Sequence, residues 1–221
     1  MRIAIAGGHG QIARRLSRQL ADRGDLPLAI VRNPDHVADV EADGASAVVL
    51  DLEDTDAETL AARLTDVDAV VFAAGAGPGS GDARKDTVDR GAAGLLADAA
   101  ALAGIRRYLL VSSVGAGSEP PAGTDPTFVA YLRAKTAAEE DLRPRDLDWT
   151  ILRPGALTDD PGTGHVRLGP DIPRGEVPRD DVAAVLVALL DEPLTAGLVL
   201  ELSEGQTPVP AAIAAALEPE D

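Results

Sequence analysis

A short apolar run, Arg2-Ile3-Ala4-Ile5-Ala6, passes directly into Gly7-Gly8-His9-Gly10-Gln11-Ile12-Ala13 and then into a helical pattern with Leu16 and Leu20 on one face. A strand that turns on glycines into an amphipathic helix restricts the fold sharply, because the turn must be tight and the helix must pack back on the strand. The spacing is G-x-x-G-x-x-A from Gly7, one of the dinucleotide-binding variants of the Gly-rich turn. Gly7 serves the tight turn, Gly10 lets backbone approach a pyrophosphate, and small Ala13 permits close helix–strand packing. The helix start at Gln11 and Ile12 offers free N–H groups and partial positive charge to phosphates. His9 hydrogen-bonds within the turn or touches a phosphate.

The rest of the chain repeats the alternation of short apolar runs and Ala-rich helical segments. That pattern predicts an α/β fold of Rossmann type: a doubly wound parallel sheet with helices on both faces. Strands are expected at 2–6, 26–31, 45–50, 69–73, 108–112, 149–152 and 199–202. Helices are expected at 11–23, 34–42, 57–64, 87–103, 129–142, 181–190 and 211–217. With 221 residues, 45% of them hydrophobic, the expectation is one domain over 1–221. Three Gly/Pro-rich stretches, 75–81, 115–126 and 154–178, fall where βα loops line the crevice of such a sheet. The last is long enough for a small lobe covering the substrate.

The end of the second strand reads Ala29-Ile30-Val31-Arg32-Asn33-Pro34. A site selective for NAD usually carries a carboxylate there to accept from the ribose 2′-hydroxyl. Arg32 cannot accept, but its planar fork matches a 2′-phosphate, which favours NADP(H) over NAD(H). After the third strand, Asp51 is placed to accept from the adenine amino group and Leu52 to pack on the ring. Ala73, Ala74 and Gly75, ending the fourth strand, are small enough for a cofactor to lie against backbone.

Strand five ends in Ser112-Ser113, and a helical run carries Tyr131-Leu132-Arg133-Ala134-Lys135. Four residues apart, Tyr131 and Lys135 share one helix face. A lysine ammonium beside a phenol favours phenolate, so the tyrosine can pass a proton to or from a carbonyl or hydroxyl. The same ammonium can hold ribose hydroxyls, and a serine hydroxyl can donate to the substrate oxygen.

Charge and composition narrow the alternatives. The 37 acidic residues outnumber 20 basic ones for a net charge of −17, and the arginines are interleaved with Asp and Glu, so no nucleic-acid partner is expected. Without cysteine there is no thiolate nucleophile and no thiolate metal site. His36 and His165 lack a carboxylate at ligand spacing, so no metal is expected. The Asp159-Asp160 and Asp180-Asp181 pairs read as a solvated loop and a helix N-terminal turn. No apolar run reaches the roughly 18–20 residues of a membrane span and no secretory leader precedes the first strand, so a cytoplasmic location is expected.

On these residues the chain resembles the atypical short-chain dehydrogenase/reductases, in the small NAD(P)H-binding group that includes NmrA-like and biliverdin-reductase-B/flavin-reductase-like proteins. The resemblance is carried by Gly7 to Ala13, Val31-Arg32-Asn33-Pro34, Val111-Ser112-Ser113-Val114-Gly115, and Tyr131 to Lys135 with Glu139. Leu147 to Gly155, ending in Arg153-Pro154-Gly155, and Arg179-Asp180-Asp181-Val182-Ala183 complete it. It implies that the Arg-Pro-Gly turn borders the nicotinamide end, through Pro154, Gly155 and Leu157. It also implies that Ser113 is the catalytic serine, with Ser112 beside it on the cofactor side. Two departures are Ala13 for the third glycine and His9 for the commoner Thr or Asn. Members of the group often lack a working Tyr–Lys pair, and some bind nucleotide without turning over a known substrate.

The expected function is an NADP(H)-dependent oxidoreductase or epimerase-like enzyme passing hydride between nicotinamide and a small carbonyl, enone, quinone or flavin-like substrate. Tyr131 is the acid/base, Lys135 its activator and Ser113 the group that orients the substrate oxygen. The alternative is a non-catalytic NADP(H)-binding redox sensor acting through a protein partner. Oligomeric state is left open between monomer and homodimer.

Overall fold

The computed structural model describes residues 1–75, 90–121 and 123–218. The expected strands form as β1 (Arg2–Ala6), β2 (Leu26–Val31), β3 (Ser46–Val49), β4 (Ala69–Phe72), β5 (Arg107–Val111), β6 (Asp148–Pro154) and β10 (Val199–Glu204). The helices are α1 (Gln11–Asp22), α2 (Val37–Ala42), α3 (Ala57–Ala61), α4 (Ala92–Leu102), α5 (Pro126–Leu142), α6 (Arg179–Leu190) and α7 (Val209–Ala216). Pro34–His36 forms a 3-10 turn before α2 instead of its first turn, with the Asn33 side chain accepting from the Asp35 amide. The part of the fourth expected helix at 87–89 and the loop at 76–81 lie outside the described residues.

Seven strands run parallel in the order β3-β2-β1-β4-β5-β6-β10. The first six reproduce the doubly wound order, whose reversal between β1 and β4 opens a crevice at the strands' C-terminal ends. Alternation along each strand divides the core. Ile3, Ile5, Val71, Leu109 and Val111 pack with α1, α6 and α7 on one face. Ala4, Ala6, Val70, Phe72, Tyr108 and Leu110 pack with α3, α4 and α5 on the other. Both faces are covered, which is why these strands read as continuous apolar runs.

The segment 154–178, expected as a loop or small lobe, carries three strands that the alternation of apolar runs did not predict: β7 (Ala156–Thr158), β8 (His165–Gly169) and β9 (Glu176–Pro178). β8 joins the main sheet antiparallel to β10, and β11 (Thr207–Pro208) pairs antiparallel with β8 beyond it. β7 and β9 make a separate parallel ladder beside the crevice. Asp181 fastens this segment. It stands in the first turn of α6, as expected, and is 2% exposed. It accepts from the Thr163 amide at 2.9 Å, the Thr163 hydroxyl at 3.1 Å and the Gly164 amide at 2.8 Å.

Candidate functional site

The turn after β1 is shaped by contacts that leave no room for side chains. Gly7 has φ +75°, and a Cβ there would lie 2.5 Å from Ala74 Cα at the end of β4. Gly8, to which the sequence reading assigned no role, is pressed on β2, where a Cβ would lie 2.7 Å from Ala29 Cβ. Gly10 caps α1 without any side-chain hydrogen bond, so the first amides of that helix stay open to an external acceptor. These amides face a cavity of about 850 Å³, within the range of small-molecule and cofactor sites.

The larger cavity collects the expected residues of the reactive end. Gln11, Ile12, Ala73, Ala74 and Gly75 border it on one side, and Ser112, Ser113, Tyr131, Lys135, Pro154, Gly155 and Leu157 on the other. A second cavity of about 340 Å³ lies toward β2 and β3 and is lined by Gly7, Arg32, Asp51 and Leu52. Both cavities share Gly10, Ala73, Ala74 and Gly75, so they are two ends of one cleft. His9 is the expected binding residue absent from both linings. Its ring stacks on His36 at 3.6 Å and its Nε2 pairs with Asp39 at 2.8 Å, which turns it toward α2.

Toward β5 and β6, α5 presents Tyr131 and Lys135 on one face of the larger cavity. Lys135 is 4% exposed and donates from Nζ to the Val111 carbonyl at 3.1 Å, at the end of β5. Its ammonium lies over the Tyr131 ring, 5.7 Å from the centroid, within cation–π range. Phe128, one turn earlier, stacks on Tyr131 with centroids 5.8 Å apart. The two serines separate. Ser112 Oγ donates to Glu139 Oε1 at 2.6 Å, whereas the half-buried Ser113 makes only a long 3.4 Å contact with the Val114 carbonyl. Ser113 is therefore the serine hydroxyl available to a ligand, and Ser112 lines the cavity while its hydroxyl is committed elsewhere.

Glu139 is the hub behind this wall. It is 1% exposed and receives Arg153 Nε at 2.9 Å, Arg153 Nη2 at 2.6 Å and Arg143 Nη2 at 3.0 Å, besides Ser112. A buried carboxylate survives only when paired and hydrogen-bonded, as here. The network ties α5 to the ends of β5 and β6, and so fixes Tyr131, Ser113 and Pro154 relative to one another.

Several lining residues had no sequence assignment: Asn33, His36 and Glu53 in the smaller cavity, and Asp125, Phe128 and Arg179 in the larger. Phe128 carried a signal, since it stands three residues before Tyr131 on the same helix face. Asp125 caps α5, accepting from the Thr127 and Phe128 amides at 2.9 and 3.1 Å. Arg179 reaches the cavity from the start of α6 and pairs with Asp159 at 3.0 Å, which also receives Arg15 at 3.2 Å.

The glycine cradle, uncapped helix terminus and continuous cleft suit a dinucleotide, and comparison with known proteins agrees. An NAD(P)H-binding family model matches residues 7–193. The chain belongs to this family. It is 37% identical over 214 residues to the uncharacterized sugar epimerase YhfK of Bacillus subtilis, covering 96% of this chain and 99% of that one. Among solved structures, the oxidoreductase ylbE of Lactococcus lactis superimposes with TM-score 0.88 at 27% identity, covering 100% and 99% of the two chains. ChuY, an anaerobilin reductase of Escherichia coli O157:H7, gives TM-score 0.78 at 27% identity, covering 92% and 97%. The expected NAD(P)H-binding family and the Rossmann-like fold are thereby both shown. Among the described residues no helix is long and apolar enough to cross a membrane.

Proposed function

We propose that this chain is an NADP(H)-dependent oxidoreductase or epimerase-like enzyme acting on a small carbonyl, enone, quinone or flavin-like substrate. One observation carries the reading: Ser113, Tyr131 and Lys135 line the same cavity as the open N-terminus of α1. A dinucleotide lying along the cleft has its adenosine end near Arg32, Asp51 and Leu52, its pyrophosphate at Gly10, Gln11 and Ile12, and its nicotinamide end near Pro154, Gly155 and Leu157. When bound, the cofactor supplies or accepts the hydride.

The chain's own residues handle the proton. In carbonyl reduction Tyr131 gives its hydroxyl proton to the substrate oxygen while Ser113 donates a hydrogen bond to that oxygen. The phenolate left behind forms beside the ammonium of Lys135, which is held in place by the Val111 carbonyl. Phe128 and Leu157 give the substrate an apolar wall. A sequence relative named a sugar epimerase and structural neighbours named an oxidoreductase and an anaerobilin reductase support the reading at the level of reaction class.

The test is NADPH oxidation with a panel of quinones, flavins and aldehydes, comparing the wild type with Tyr131→Phe. Loss of about 10²–10⁴-fold in kcat with NADPH affinity kept is the expected outcome. Unchanged rates would make Tyr131 a bystander. Tight NADPH binding without turnover on any acceptor would favour a nucleotide sensor.

A further inference from the structure

The carboxylate that a cofactor-selecting site usually carries at the end of β2 is missing here, because Arg32 stands in that region. The fold supplies one from the neighbouring strand. β2 and β3 run parallel with Val31 opposite Val49, and the Leu50 amide donates to the Val31 carbonyl at 2.9 Å, so the loops leaving both strands lie side by side. Asp51 then folds its loop back by accepting from the Glu53 amide at 3.0 Å. The result is an ion pair between Arg32 Nη1 and Glu53 Oε2 at 3.2 Å, with both residues lining the smaller cavity.

We propose that Glu53 is a specificity-determining residue, and that the Arg32–Glu53 pair reads both kinds of ribose. The proposal rests on the reading above that the smaller cavity takes the adenosine end of a dinucleotide. A 2′-phosphate approaching Arg32 meets the Glu53 carboxylate, must take over the guanidinium and drive the like charge away. A 2′-hydroxyl can instead donate to Glu53 and leave the ion pair standing. The two side chains are 53% and 27% exposed, so the pair is solvent-screened and easily opened. Arg32 alone thus overstates the preference for NADPH. Glu53 narrows it from both sides, by opposing the phosphate and by accepting from the hydroxyl.

Titration calorimetry of the full chain with NADPH and with NADH, in wild type, Glu53→Gln and Arg32→Ala, separates the contributions. Adenosine 2′,5′-bisphosphate and 5′-AMP serve as probes that report this end alone. Glutamine keeps the shape of Glu53 and removes its charge. Glu53→Gln is expected to tighten NADPH about fivefold and to weaken NADH about threefold, the scale of an exposed charge contact. The bisphosphate and AMP are expected to shift in the same directions. Arg32→Ala moves the ratio the opposite way, toward NADH. If Arg32→Ala lowers the NADPH preference while Glu53→Gln leaves the ratio unchanged, the role of Glu53 is overturned and the dinucleotide reading stands. If neither dinucleotide binds the wild type, the reading of the cavity falls, and the role of Glu53 falls with it.

Discussion

The two ends of the cleft are built by different physics. Toward β2 and β3 the walls are backbone and small residues, with Gly7 and Gly8 pressed on Ala74 and Ala29, and the charges there reach solvent: Arg32 and Glu53 in the wall and Asp39 behind it. Toward β5 and β6 the wall is held by a dry polar cluster in which Lys135, Glu139 and Ser112 are all buried. Shape does the work at the first end and desolvated charge at the second. Damage should therefore propagate differently. A lost carboxylate toward β5 and β6 strands its partners out of water, whereas one toward β2 and β3 is replaced by solvent.

The largest expected effect follows from that asymmetry. Glu139→Ala leaves the Arg153 guanidinium and the Ser112 hydroxyl without their buried acceptor, and removing one partner of a buried pair costs about 3–5 kcal/mol. Urea denaturation at neutral pH measures it, and the loss should change little between low and high salt because the cluster is shielded. A cost near zero would mean that water enters the cluster, and the contrast between the two ends would collapse.

Gly7→Ala probes the steric end. An alanine there carries left-handed strain of about 1–2 kcal/mol and an overpacking cost of about 1–3 kcal/mol against Ala74, about 2–5 kcal/mol together. The contact is with backbone, since Ala74 Cα and N lie 2.5 and 2.7 Å from the position of the new Cβ. Widening the turn also moves the α1 amides, so NADPH affinity should fall together with stability. Calorimetric titration beside thermal melting checks both. A variant that melts early but binds nucleotide as tightly as the wild type would separate the turn from nucleotide binding.

The same contrast explains what could be read from the residues alone. The steric end is local: a glycine spacing, an arginine after β2 and Asp51-Leu52 after β3 lie in short segments whose meaning depends on one strand and one turn. The Tyr131–Lys135 pair was legible for a similar reason, four residues on one helix. Glu139 was visible only as part of a resemblance, because its partners Ser112 and Arg153 come from two other strands and only packing brings them together. Glu53 is the extreme case, since nothing near it in the chain marks it as the partner of Arg32. Asp180 and Asp181 stand in the first turn of α6 as expected, but nothing at a helix start shows that Asp181 is also buried as the clip for residues 163–164. In 154–178 the many glycines and prolines hid β8, whose antiparallel partner β10 lies some thirty residues on.

The smallest expected effect belongs to the exposed end and concerns acid. The Asp39 carboxyl is held below the usual carboxylate range, chiefly by the hydrogen bond from His9, with Arg14 and His36 adding attraction. A carboxylate depressed in the folded state gives stability that is fully present above its unfolded value, about pH 4, and is lost as pH falls through the folded value. Asp39→Asn should therefore leave melting behaviour near pH 7 offset by a small constant and flatten the decline of stability below about pH 4. Because the carboxyl is in water, added salt should shrink the difference between variant and wild type. The Glu139 cluster should show no such salt response, and an Asp39→Asn difference that ignores salt would show that the exposed end is held by something other than screened charge.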